Sequence, residues 1–135
     1  MGIDAGHRVT RHESKCQNVH GHRYEVEVTV AGDLDHAGRV VDFGVVKQLV
    51  GGWLDDALDH GYIAAPWDDM AQVIRSQGLK VYVMPDGMEP TAENLAALVA
   101  ERAQELLNGV QSGLKVTMVR VYETPNCWAD WNSSG

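Results

Sequence analysis

The chain has 135 residues, 44% hydrophobic and 22% charged, as expected of one soluble domain (1–135) able to bury its own core. A net charge of −8 argues against nucleic-acid binding, which rests on Lys and Arg neutralising phosphates. No apolar run approaches the roughly 20 residues that span a bilayer, and the first residues, MGIDAGHRV, lack the regions of a signal peptide, so the cytoplasm is the expected location.

A short extended segment, IDAGHRV, comes first and can pair beside the strand that follows. In HGHRYEVEVTVAG, His20, His22, Tyr24, Val26, Val28 and Val30 alternate with Gly21, Arg23, Glu25, Glu27 and Thr29, which predicts a strand of period two. Gly32 and DLDHAG supply turn residues. Residues 42–58 change to helical spacing, with Asp42 as N-cap and Gly51-Gly52 as a weak point in the middle. A short helix is expected within 67–78 and a strand over 79–84. Thr91 caps a helix that runs to Asn108 and stops at Gly109, and residues 114–123 form the last strand. This order predicts an α+β fold, an antiparallel sheet with helices on one face.

The stretch CQNVHGH gathers one thiol and two imidazoles within residues 16–22. Side chains two apart on a strand point the same way, so His20 and His22 project together from the end of an apolar face. Two neutral imidazoles on a dry wall suit Zn²⁺, although ordinary hydrogen bonds would also occupy them. Of the remaining histidines, His7 is placed to be a third ligand, whereas His12 and His36 lie in polar, turn-like surroundings. Cys16 is either a fourth metal ligand or a proton-transfer group beside the metal. Cys127, in NCWADW, reads as structural, and both thiols are expected free.

Asp59-His60 suggests an oriented acid or base, but helix neighbours do not face one another. The pair works only if a loop or another chain brings the carboxylate to the imidazole; otherwise it is a surface dipeptide. Glu123 ends an apolar strand face shared with Thr117, Val119 and Val121. It suits a ligand edge with two adjacent N–H donors, or else it lies in water. Arg8, Arg11, Lys15 and Arg23 form a basic island that either holds a phosphorylated substrate or is solvated.

Six blocks in order, IDAGHR, CQNVHGH, VVDFGVVK, LDHGY, PTAENLA and VYETPNCWADW, resemble the 6-pyruvoyltetrahydropterin synthase / 6-carboxytetrahydropterin synthase (QueD) family over nearly the whole chain. The resemblance implies a T-fold (tunnelling fold): a four-stranded antiparallel sheet with two helices on one side. It further implies a homohexamer, a dimer of trimers with active sites between subunits. The family's zinc ligands match His7, His20 and His22, its catalytic cysteine Cys16, and its Asp-His pair Asp59 and His60. The pterin-anchoring glutamate matches Glu123, and Thr91 falls where the family contacts the pterin ring.

Three residues separate Cys16 from the HGH triplet, and no glutamate stands among them, which looks like the 6-carboxytetrahydropterin synthase branch. That branch converts 7,8-dihydroneopterin triphosphate to 6-carboxy-5,6,7,8-tetrahydropterin, acetaldehyde and triphosphate, toward queuosine or another 7-deazaguanine. The alternatives are a 6-pyruvoyltetrahydropterin synthase, which keeps the carbon chain, and a non-catalytic zinc-stabilised oligomer. Ile3 departs from the pattern, standing where members often have Phe.

Overall fold

A computed structural model describes residues 1–11, 14–85 and 87–134; His12 lies outside the described residues. One sheet runs through the molecule in the order β4-β3-β1-β2-β5-β6. Its centre is antiparallel: β1 (Gly2–His7), β2 (His20–Ala31), β5 (Lys115–Thr124) and β6 (Cys127–Asn132). Two short strands, β3 (Gly61–Ala64) and β4 (Val81–Val83), extend it in parallel beyond β1. The sheet therefore has six strands where four were expected, the four antiparallel ones running from β1 to the β6 edge. β6 follows the strand expected to be last, and the other addition is GYIA, whose residues are all buried. A parallel strand covered on both faces shows no alternation, so period two does not reveal it.

Residues 43–57 form one helical rod behind the Asp42 cap, whose carboxylate accepts from the Gly44 N–H. The rod is α-helical at α1 (Phe43–Val46) and α2 (Gly52–Ala57), with a π-helical turn over Lys47–Gly51 between them. Its buried residues, Val46, Val50, Leu54 and Leu58, recur every fourth position. At 3.6 residues per turn such a series drifts around the helix. The wider π turn takes up that drift where Gly51-Gly52 weakens the α form.

A third helix, α3 (Asp69–Ser76), follows the Asp68 cap, and α4 (Ala92–Asn108) follows the Thr91 cap, whose hydroxyl accepts from Asn94 N–H at 3.2 Å. The 43–57 rod and α4 share one core with the inward faces of β1, β2 and β5. In contrast, α3 covers the opposite face of the sheet: Ala71 packs with Tyr62 and Ala64, while Ile63 between them faces the main core. Among the described residues no helix is long and apolar enough to cross a membrane.

Two bulges shape β5. Pairing with β2 passes from Thr29↔Met118 to Val30↔Val116, so the register shifts around Thr117. Val116, Val119 and Val121 are buried while Thr117 is not, which removes Thr117 from the face it was expected to share. A second shift falls between Tyr122 and Thr124 and leaves Glu123 as the unpaired residue. A bulge re-aims the side chain it carries.

Candidate active site

β1 and β2 pair so that His7 lies opposite His20 and Ala5 opposite His22. All three imidazoles therefore gather at one end of the buried face, with ring centroids 4.6, 5.1 and 5.0 Å apart. Their ligating nitrogens lie within 4.8 Å of one another, a group able to hold a metal ion.

The hydrogen bonds fix which nitrogens carry protons. His7 Nδ1 is 2.7 Å from the Pro90 carbonyl oxygen, and His20 Nδ1 is 2.6 Å from the Asn18 carbonyl oxygen. Carbonyl oxygens only accept, so both Nδ1 atoms donate and each neutral ring turns an Nε2 lone pair inward. Those two Nε2 atoms stand 3.1 Å apart. Two facing lone pairs repel unless a cation lies against them. The His22 Nε2 is buried with no hydrogen-bond partner among the described residues. Burial drives the His7 pKa down to about 4, reinforced by His20 and His22 and opposed by the Pro90 hydrogen bond. His7 is thus neutral at pH 7, the form that ligates. A metal ion fits this donor set, and the outer carbonyl partners are the usual device for orienting imidazole ligands.

Beside the imidazoles is a cavity of about 270 Å³ whose lining includes His7, Cys16, His20, Thr91 and Glu123. Cys16 sits in a 3-10 turn, Lys15–Gln17, at intermediate exposure. It does not join the 4.8 Å cluster of the three histidines, so among the two roles left open for it the geometry separates it from the ligand set. Glu123, aimed by its bulge, brings a carboxylate oxygen to 3.8 Å from His22 Nε2. Tyr24 packs behind the imidazoles, its ring 5.8 Å from His7 and 5.4 Å from His22. Burial, and then the charge of Glu123, push its hydroxyl pKa up, so it remains a neutral phenol.

Val9, Ala92, Glu93, Cys127 and Trp128 also line the cavity and escaped the sequence reading. Cys127, expected to be structural, lines the cavity with Trp128 and is exposed. The signal was present but short: Cys127, Ala129 and Trp131 alternate along β6, the last two packing on the core.

Asp59 and His60 do pair, His60 Nδ1 standing 2.8 Å from Asp59 Oδ2. A loop achieves this within one chain, because His60 adopts the left-handed backbone, φ 58°. The other Asp59 oxygen accepts from Asp4 N–H at 2.8 Å. That N–H first, and His60 second, hold the Asp59 carboxyl below the usual range against the effect of burial. The His60 side chain is 77% exposed and does not line the Cys16 cavity. None of the four basic residues lines it either. Arg8 is paired with buried Asp68 at 2.6 Å, Arg11 stacks on Trp67 at 3.8 Å, and Arg23 meets Asp4 at 3.5 Å.

The model of the family described as 6-pyruvoyl tetrahydropterin synthase matches residues 1–134. A 6-carboxy-5,6,7,8-tetrahydropterin synthase of Rickettsia bellii is 42% identical over 131 residues, covering 95% of this chain and 93% of the relative. The Bacillus subtilis protein of the same name is 32% identical, over 95% of this chain and 78% of its own. Among solved structures, an uncharacterized protein of Wolinella succinogenes superposes with a TM-score of 0.80 at 21% identity, over 99% of this chain and 96% of that one. A Plasmodium vivax 6-pyruvoyltetrahydropterin synthase does so with a TM-score of 0.74 at 17% identity, over 98% and 91%. These likenesses show that the fold is the T-fold.

Proposed function

The chain belongs to the 6-pyruvoyl tetrahydropterin synthase family, and from that premise we propose that it acts as a 6-carboxy-5,6,7,8-tetrahydropterin synthase. Its substrate would be 7,8-dihydroneopterin triphosphate, and its products 6-carboxytetrahydropterin, acetaldehyde and triphosphate, on the way to a 7-deazaguanine such as queuosine. The observation that carries this reading is a three-imidazole cluster, His7, His20 and His22, two of whose rings line one cavity together with a free thiol and a bulge-aimed carboxylate. The 42% identity to a relative named for this activity supports the choice of reaction.

In this reading the chain is a zinc-dependent lyase of carbon–carbon and carbon–oxygen bonds. His7, His20 and His22 would hold Zn²⁺, which when bound would supply Lewis acidity toward the oxygens of the substrate side chain. Cys16 moves a proton at that side chain, close to the histidines but outside their ligand set. Glu123 accepts from the two adjacent N–H donors of the pterin's amino edge, a charge-assisted pair that sets the ring's orientation. The Thr91 hydroxyl, which caps α4 through its oxygen, keeps its own hydrogen to offer the ring.

Asp59 orients His60 as the complementary acid or base. The dyad is exposed at His60 and does not line its own chain's Cys16 cavity, which supports a site completed by a neighbouring subunit in a homohexamer. The free edges of β4 and β6 are available for sheet continuation between subunits.

Incubating the zinc-loaded protein with dihydroneopterin triphosphate and trapping the volatile product tests the proposal. Stoichiometric acetaldehyde is expected. A pterin that keeps all three side-chain carbons would refute it and assign a 6-pyruvoyltetrahydropterin synthase instead.

A further inference from the structure

Cys16 lies on the connection between β1 and β2, residues 8–19, away from any strand that could fix it. Besides the Arg8–Asp68 pair and the Arg11–Trp67 stack, a carboxylate from the segment before α4 holds this connection. Glu89 accepts from the Thr10 hydroxyl at 2.7 Å, the Thr10 N–H at 3.2 Å and the Arg11 N–H at 3.0 Å. The Thr10 oxygen in turn accepts from Trp67 Nε1 at 2.8 Å. The hold reaches the thiol through one short bond, since Val9 N–H donates to the Cys16 carbonyl at 2.7 Å.

Glu89 is itself anchored to a rigid element. Asn94 Nδ2, in the first turn of α4, donates to the Glu89 carbonyl at 2.9 Å. The next two residues serve the site directly: the Pro90 carbonyl orients His7, and Thr91 lines the cavity. Three consecutive residues thus set a metal-site imidazole, a cavity hydroxyl and the loop of the thiol in one frame. Three donors converge on Glu89, and a carboxylate has acceptor capacity for all of them, whereas an amide would turn N–H groups toward some. Burial works against its charge, yet the Arg11 and Thr10 donors hold its carboxyl below the usual range.

We propose that Glu89 is a positioning residue, which fixes the place of the Cys16 thiol relative to the three histidines by bracing residues 9–11. The inference rests on Cys16 being the proton-transfer group, and a misplacement of about 1 Å in such a group is enough to cost turnover.

Glu89→Gln keeps the size and tests the point on zinc-loaded protein. Alkylation of Cys16 by iodoacetamide, read on its own peptide and so apart from Cys127, is expected to rise about fivefold as the loop loosens. In parallel kcat is expected to fall about tenfold, with KM within about twofold and zinc content as in the parent. A brace that serves the fold alone would lower Tm and leave both the alkylation rate and kcat within about twofold of the parent, which overturns the proposal. Should Glu89→Gln not fold, Thr10→Val removes one donor of the three. There a rise of about threefold is expected, and an unchanged alkylation rate overturns the proposal. Alkylation needs no turnover, so a protein inactive on dihydroneopterin triphosphate would sink the assigned reaction while this arm still decides Glu89.

Discussion

His20 and His22 stand on a twelve-residue strand, paired with β1 at their own positions while β5 joins from Glu25 onward, whereas His60 stands at one left-handed residue in the loop after α2. The first pair joins His7, 1% exposed, in a cluster where carbonyl oxygens set the tautomers of His7 and His20. His60 leaves 77% of its side chain in solvent, with only Asp59 to orient it. Imidazoles fixed by sheet register come preassembled, as a metal site requires. An imidazole on an exposed turn is oriented but stands outside the Cys16 cavity of its own chain. On the proposed hexameric reading, the contrast separates what folding completes from what association completes.

The comparison breaks most visibly at His7. His7→Ala leaves two ligands, and the expected result is zinc near zero after gel filtration and turnover abolished. Full zinc in that variant would remove His7 from the ligand set. Asp59→Asn is the matching change on the exposed side. It is expected to lower kcat by about a hundredfold while zinc content stays at the parent value, because the dyad shares no residue with the His7, His20, His22 group. A parallel loss of metal would show that the two sites are not independent. Glu123→Gln sharpens the picture within the cavity, with KM expected to rise about tenfold through loss of a charge-assisted hydrogen bond and kcat to change less.

The smallest effect is one of stability. His7 has a folded pKa of about 4 against an ordinary 6.5, so between those values the unfolded chain binds the extra proton. The stability of metal-free protein is therefore greatest above pH 6.5 and falls as pH drops toward 4, by something on the order of 3 kcal/mol. Urea unfolding at pH 7 and pH 4.5 reads this difference, and His7→Gln should flatten it. A parent protein equally stable at both values would contradict the burial of a neutral His7.

Much of the buried side was legible beforehand. Period two in HGHRYEVEV placed His20 and His22 on one face, and the short segment before them paired where His7 could join. Thr91 and Asp42 cap the helices they were expected to cap. The features that escaped share a cause, since each breaks a local period. The bulge near Thr117 exchanges it for Val116 on the core face, and the bulge at Glu123 decides where that carboxylate points. β3 is buried on both faces and shows no alternation. The Asp59-His60 geometry depends on one positive φ at a non-glycine residue, which no spacing announces. Glu89 meets its donors across nearly eighty positions of chain, a pairing that only the fold creates.

The central claim is that three histidines hold the metal while Cys16, beside them and not among them, moves the proton. Cys16→Ala, assayed for zinc and for acetaldehyde release on the same preparation, tests it most directly. The expected result is one zinc per chain, as in the parent, with turnover down by about a thousandfold or more. Turnover that survives with zinc in place would contradict the role of the thiol, and loss of zinc would return Cys16 to the ligand set.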